Sequence, residues 1–481
     1  MKHYTLNNLP TDRKPKILLI YLNRNTGNVQ ETYDEPAPDV HLRPLLGLQY
    51  LAAATRSIDT ESIILDQRVI HFEPADIINY INNKRIILLG FYTSYSLTGP
   101  NTEFIKQIRA YTDIPIIVGG PGYHDYRVLL DAGADIIVRH EGEETLKEII
   151  KKTQNKSYDW SSIDGIYYSS KKKIISNKDR SPIKNIDTIS WPLRDNLVPI
   201  TAYKDYYLMG IKLPYITMIT SRGCPHTCSY CGSPDIWQNV VRQRSVESVL
   251  AEIDYAVDKW GIRYIDMLDD VFGMKYEWVE EFCKKLSSRN YDLHYKILIN
   301  PTTFGNRQER CLELLSKSGC NIVGIGMQTA DKDTLESIGR KRESPQKLIE
   351  AVNSVKKYGM LSFVNFICGF PDEPGDTPQK IATLVDQAGP LLIDCYPLIY
   401  LKGTRLYDAL TNMGIDETYS FKERLEKAVK IKKWFYSSPV NLFKILIWII
   451  RRNPSWLLFL LRHFIYIFKI SGFSRTLKES S

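Results

Sequence analysis

The row KILLIYL at 16–22 is short and apolar at nearly every position, which predicts a strand buried on both faces. The same pattern returns at 62–65, 85–90 and 114–119, and between these runs 45–56 and 102–111 repeat their apolar residues at helical spacing. Apolar strands alternating with amphipathic helices predict a doubly wound parallel sheet, which binds ligands at the carboxyl ends of its strands. Small or hydroxyl residues stand at those ends: Thr93, Ser94 and Ser96 after the third strand, and Gly119, Gly120, Pro121 and Gly122 after the fourth.

The pattern changes over 151–205, where a lysine run at 171–173 and prolines at 182, 192 and 199 predict a hairpin and a linker. From Tyr215 strand-helix alternation resumes through YITMIT, RYIDML, YKILIN, NIVGIGM, FVNFICGF and DCYPLIYL, six strand candidates that predict a partial (β/α) barrel. The expected division is therefore 1–150, 151–205, 206–407 and a helical region at 408–481.

The length of 481 residues suits about three domains, and 43% apolar with 25% charged residues is the composition of globular protein. Eight cysteines, three of them within 224–231, are too few and too uneven for a disulfide framework, so a reducing, cytoplasmic compartment is expected. The N-terminus lacks a signal-peptide pattern, and no apolar run reaches the roughly 18 residues of a membrane span. Residues 440–481 hold +6 of the +8 formal charge. A basic tail beside a nearly neutral body points to a local anionic partner rather than to nucleic acid.

The row SRGCPHTCSYCGSP sets Cys224, Cys228 and Cys231 in a CxxxCxxC spacing on a loop after a strand. A zinc site wants a fourth ligand; His226 lies inside the loop and no second CxxC pair follows, so that reading is incomplete. A four-iron cluster held by three cysteines leaves one iron open to a further ligand. The segment resembles the radical S-adenosylmethionine superfamily, whose motif carries an aromatic before the third cysteine, here Tyr230. The resemblance implies a [4Fe–4S] cluster on the three cysteines, with S-adenosylmethionine chelated at the open iron and cleaved to a 5′-deoxyadenosyl radical. It extends to Asp269 and Asp270 in DMLDDVFGM, to Gly324, Gly326 and Gln328 in GIGMQTA, and to GFPDEPGDT. Gln328 stands where relatives often place Glu, and Asp372 where they place Gly. Asp269 and Asp270 also read as a solvated strand end or a helix cap.

The rows PLLGLQYLAAATR, VGGPGYHDY and ADIIVRHEGEETLKEII are similar to the cobalamin-binding domain that precedes the radical domain in the cobalamin-dependent branch of this superfamily. The implied fold is α/β: a doubly wound cobalamin-binding domain, a partial barrel, and a helical C-terminal segment. Ser94, Ser96, Gly119, Gly120 and Pro121 become the expected cobalamin contacts, Gly120 by leaving room for close approach. His41, oriented by Asp39, is a candidate for cobalt, although the sequence there lacks the glycine of DxHxxG. His124 and His140 read as residues with local hydrogen bonds.

The implied activity is methylation of an unactivated carbon of a small or lipid-like substrate, with an electron donor such as a flavodoxin or ferredoxin. Radical cyclisation, coupling or oxidation is the alternative, and a non-catalytic cobalamin sensor a second. At the C-terminus NLFKILIWII and WLLFLLRHFIYIFKI combine apolar and aromatic residues with Arg and Lys, which suits an anionic membrane interface. Peripheral contact through 441–470 at the inner face of the membrane is the expectation, against packing on the enzyme itself.

Overall fold

The computed structural model describes residues 16–23, 42–83, 85–203, 214–414 and 420–452. It divides into two units, Met1–Lys204 with Asp235–Arg242, and Asp205–Pro234 with Gln243–Ser481. The segment 235–242, which the sequence reading gives to the barrel, is grouped with the first unit. His41 and residues 453–470 lie outside the described residues.

In the first unit five parallel strands, β1 (Lys16–Tyr21), β2 (Glu61–Asp66), β3 (Ile86–Tyr92), β4 (Ile116–Gly119) and β5 (Ile136–Val138), lie in the order β2-β1-β3-β4-β5. A hairpin, β6 (Ile166–Ser170) and β7 (Lys173–Ser176), continues the sheet antiparallel from β5. All six residues of β1 are buried, because helices cover both faces of a doubly wound sheet. Leu48 and Ala52 of helix Leu46–Arg56 and Leu146, Ile149 and Ile150 of helix Glu143–Gln154 share one core with Ile17 and Leu19. The winding reverses between β1 and β3, which opens a crevice at their carboxyl ends.

In the second unit six parallel strands run in sequential order: β8 (Tyr215–Met218), β9 (Tyr264–Met267), β10 (His294–Ile299), β11 (Cys320–Gln328), β12 (Leu361–Cys368) and β13 (Leu392–Pro397). Sequential parallel order is that of a partial barrel. Its two faces differ in chemistry. Ile299, Ile325, Val364 and Ile393 stand side by side on one, whereas Thr217, Asp266 and Lys296, and further along Gly326, Asn365 and Asp394, stand side by side on the other. Apolar rows suit the covering helices, and polar rows suit a barrel interior. The buried Lys296 and Asp266 form an ion pair at 3.2 Å there.

Helix Phe421–Ser437, opened by a capping box between Ser420 and Glu423, packs along β13. Lys432 reaches Asp394 at 3.4 Å, and the Tyr436 hydroxyl donates to the Ile393 carbonyl at 2.7 Å. Helix Pro439–Arg452 follows. Among the described residues no helix is long and apolar enough to cross a membrane.

Candidate cofactor sites

The cysteine loop leaves β8 through Thr220 and Ser221, and its two ends are tied down by adjacent carboxylates. Asp269, 1% exposed, accepts from the Thr220 amide at 3.1 Å, the Thr220 hydroxyl at 2.7 Å and the Ser221 hydroxyl. Burial pushes its pKa up to about 6 despite these bonds. Asp270 accepts from the Ser233 hydroxyl at 2.8 Å, two residues past the last cysteine. The sequence reading treats both as cofactor contacts or as a solvated strand end. Asp269 is not a solvated strand end: its carboxylate holds the segment that launches the loop.

The loop is also held from its far side. The Ser229 amide donates to the Ile338 carbonyl at 3.0 Å, and Gly339 turns with φ +87° so closely that a Cβ would stand 3.1 Å from the Thr227 oxygen. Arg340 next to it brings Nη1 to 3.8 Å from the Cys228 sulfur, while its Nη2 donates to the Gly326 carbonyl at 2.6 Å and to Asn300 Oδ1 at 3.1 Å. Buried Glu343 pairs with the same guanidinium. Tyr230 packs edge-on against Phe370 at 5.3 Å, in a cluster with Ile338 and Leu398. Sequence reasoning missed Arg340, Asn300 and Glu343.

Burial pushes the Cys224 thiol up to about 11 and raises Cys231, and each feels the charge of the neighbouring cysteines. Without metal these thiols stay protonated, so a metal would displace protons on binding. Among the described residues no three His, Cys, Asp or Glu side chains converge as a single metal ion would require. The donor set itself, three thiols from one loop beside a guanidinium, fits an iron–sulfur cluster with one open iron.

The three positions of the glycine strand differ in what surrounds them. At Gly324 an added Cβ would fall on the Leu298 side chain, so that glycine answers to packing between β10 and β11. Gly326 offers its carbonyl to Arg340, and its open side is taken by the Gln328 amide, 2.8 Å from where a Cβ would be. Gln328 holds φ +75°, at the point where the β11–β12 register shifts. A left-handed conformation at a non-glycine costs about 1–3 kcal/mol and gathers at functional sites. In GFPDEPGDT the side chain that does the holding is Glu373, not Asp372: it is buried, accepts from the Gly369 amide at 2.8 Å and pairs with Lys427 at 2.8 Å. On the polar face of the sheet Asn365 Oδ1 is buried with no partner among the described residues, open to a ligand.

In the first unit the loops after β3 and β4 lie backbone to backbone. The Thr93 amide donates to the Gly119 carbonyl at 2.8 Å, and the Gly122 amide to the Thr93 carbonyl at 3.3 Å. Gly120 has φ +118°, and a Cβ there would fall on the Thr93 carbonyl oxygen. The space expected for a ligand at Gly120 is thus taken by the chain's own backbone. Ser94 and Ser96 bring their hydroxyls within 3.3 Å of each other. Thr93 Oγ1 is fully buried with no partner among the described residues, an orphan hydroxyl at the strand end that fits a polar ligand group.

Just beyond, the Tyr123 hydroxyl donates to Asp235 at 2.9 Å, and His124 Nε2 lies 3.0 Å from the same carboxylate. His140 Nδ1 is 3.1 Å from the Asp235 carbonyl oxygen. Arg242 and Glu141 close the segment with a buried ion pair at 2.6 Å. Both histidines therefore bond across long sequence separations, where local bonds were expected.

Residues 218–385 match the Radical SAM superfamily and residues 42–150 the B12 binding domain. The chain is a B12-binding radical SAM protein. As such it is an enzyme whose cofactors are S-adenosylmethionine with an iron–sulfur cluster, and cobalamin. Among relatives of this radical SAM protein, an uncharacterized methyltransferase of Pyrococcus horikoshii is 28% identical over 76% of this chain and 78% of its own. The anaerobic magnesium-protoporphyrin IX monomethyl ester cyclase of Synechocystis is 25% identical over 84% of this chain and 81% of its own. The fold is similar to that of the radical S-adenosylmethionine methyltransferase TsrM of Kitasatospora setae, solved with cobalamin and a [4Fe–4S] cluster, at TM-score 0.67 and 17% identity over 83% of this chain and 75% of that one.

Proposed function

We propose that the enzyme methylates an unactivated carbon of a small or lipid-like substrate. The observation that carries this reading is a three-thiol loop pinned at both ends by Asp269 and Asp270, in a chain whose B12 domain keeps an orphan hydroxyl, Thr93 Oγ1, at its strand ends. Cys224, Cys228 and Cys231 would hold a [4Fe–4S] cluster, with Arg340 offsetting charge beside Cys228. Gly326, Gln328 and Asn300 would line the S-adenosylmethionine side, and Ser94, Ser96, Gly119 and Pro121 the cobalamin side. When bound, the cluster supplies the electron that cleaves S-adenosylmethionine, and cobalamin carries the methyl group. This chain's residues orient those groups and keep water from them.

The similarity to the P. horikoshii methyltransferase supports methyl transfer. The similarity to the magnesium-protoporphyrin ester cyclase, which spans more of the chain, favours a second reading in which the radical serves cyclisation or oxidation. A flavodoxin or ferredoxin would supply electrons, and the location would be cytoplasmic, with peripheral contact of 441–470 at the inner membrane face. The deciding experiment is anaerobic reconstitution with cobalamin, iron and sulfide, followed by mass analysis of products made with methyl-labelled S-adenosylmethionine. Label in a carbon-bound methyl of the product supports methylation. 5′-Deoxyadenosine formed with product that never carries label overturns it in favour of the second reading.

A further inference from the structure

Helix Pro439–Arg452 hides apolar residues on one side and displays them on the other. At about 100° per residue, Ile445 and Ile449, 9% and 1% exposed, share the side turned toward protein. Val440, Phe443, Leu446 and Ile450 are 60%, 62%, 39% and 51% exposed and spread over the arc beyond them, with Leu442, 41% exposed, at its edge beside Ile449. Lys444 and Arg451, both exposed, stand side by side at one margin of that arc. A helix packed only on its own chain would place polar residues there.

We propose that this arc is a docking face for an anionic lipid bilayer, with Phe443, Leu446 and Ile450 among the upper acyl chains and Lys444 and Arg451 on the phosphates. The inference rests on the peripheral location proposed above, and names the face and the lipid charge. Charge decides the occupant: residues 440–481 hold +6 of the protein's +8. A second copy would bring a second set of the same cations against the first. An anionic bilayer accepts an apolar stripe and flanking cations together.

The helix is also fixed to the edge of the barrel, where the end of helix Phe421–Ser437 meets the start of β13. Asn441 Nδ2 donates to the Phe435 carbonyl at 3.2 Å, setting the junction with helix Phe421–Ser437. That helix in turn holds the end of β12 through Lys427 on Glu373 and through Arg424, 2% exposed, packed under Gly369. Docking would hold this unit at the bilayer surface, which suits a substrate dissolved in it.

Sedimentation of the full chain with phosphatidylcholine vesicles, with and without phosphatidylglycerol, tests this. Binding is expected with phosphatidylglycerol, at least tenfold weaker without it, and lost at about 1 M salt, where the Debye length falls to about 3 Å. Phe443→Ser with Ile450→Ser, which leaves the charge unchanged, is expected to weaken binding at least tenfold, and Lys444→Ser with Arg451→Ser roughly thirty-fold. Both pairs are exposed, and unchanged melting temperature and iron content would show that the fold is intact. Full binding by the Phe443→Ser, Ile450→Ser protein would overturn this face while leaving a peripheral location through the rest of 441–470. Absence of binding by the parent protein would remove both. A dimer that the same substitutions convert to monomer would assign the face to a second copy instead.

Discussion

Asp269 and Asp270 sit next to each other in sequence, yet hold opposite ends of the cysteine loop. The folded state raises the Asp269 pKa from 3.8 to about 6 through burial. The folded protein therefore binds a proton that the unfolded chain has released, and stability from this residue is full below about pH 4 and is lost as pH rises through about 6. Asp269→Asn should remove that slope: relative to the variant, the metal-free parent protein should lose of the order of 3 kcal/mol between pH 4 and 7, read from urea midpoints. Parallel curves would show that the carboxyl does not titrate in this window. Replacing Cys224, Cys228 and Cys231 together by Ala should abolish iron binding and reductive cleavage of S-adenosylmethionine, and retained cleavage in that protein would refute the cluster assignment. Thr93→Val tests the orphan hydroxyl. If it waits for cobalamin, the variant should bind the corrin about 5- to 30-fold more weakly, while the ligand-free protein is no less stable, since an unpaired buried hydroxyl has been removed. Equal affinity would leave Thr93 as a packing residue.

At the scale of elements, the strands were legible because burial on both faces writes an uninterrupted apolar row, as in KILLIY of β1 and YITM of β8. Helix starts were less so. The helix Thr98–Arg109 begins four residues before its apolar period does, because its first turn holds Gly99 and Pro100, which a first turn tolerates and an interior would not. β5, three residues long, is too short to stand out by period. The cysteine spacing was visible in one row of sequence. Arg340 was not, since it meets Cys228 across 112 residues, and nothing local marks an arginine after a turn. Gly120 shows a third case: the close approach it permits in this structure is that of the Thr93 backbone. Gly120→Ala should therefore lower the melting temperature even without cobalamin, by about 1–3 kcal/mol in stability. A variant that melts like the parent and fails only to bind cobalamin would restore the ligand explanation.

At the scale of the molecule, the first unit is not one stretch of chain. Its wall is finished by 235–242, whose Arg242 neutralises Glu141, with side chains 5% and 6% exposed. A fragment ending at residue 204 takes that guanidinium away, at a penalty of up to about 3–5 kcal/mol where the carboxylate stays buried. A fragment ending at 242 should unfold at correspondingly higher urea, and equal midpoints would show that the segment contributes nothing.

The same discontinuity imposes an order on biosynthesis. Translation delivers residue 204 well before residue 242, and at about 5–20 residues per second the N-terminal unit waits roughly 2–8 s for its last piece. Cys224, Cys228 and Cys231 leave the ribosome inside that interval, ahead of every strand of the barrel but β8. Their loop is thus presented as three open thiols, with Arg340 not yet made, while the domain upstream is closing over the segment that follows them. Iron loaded during that window would meet flexible ligands; iron loaded later must enter a loop already fastened at Asp269, Asp270 and Gly339.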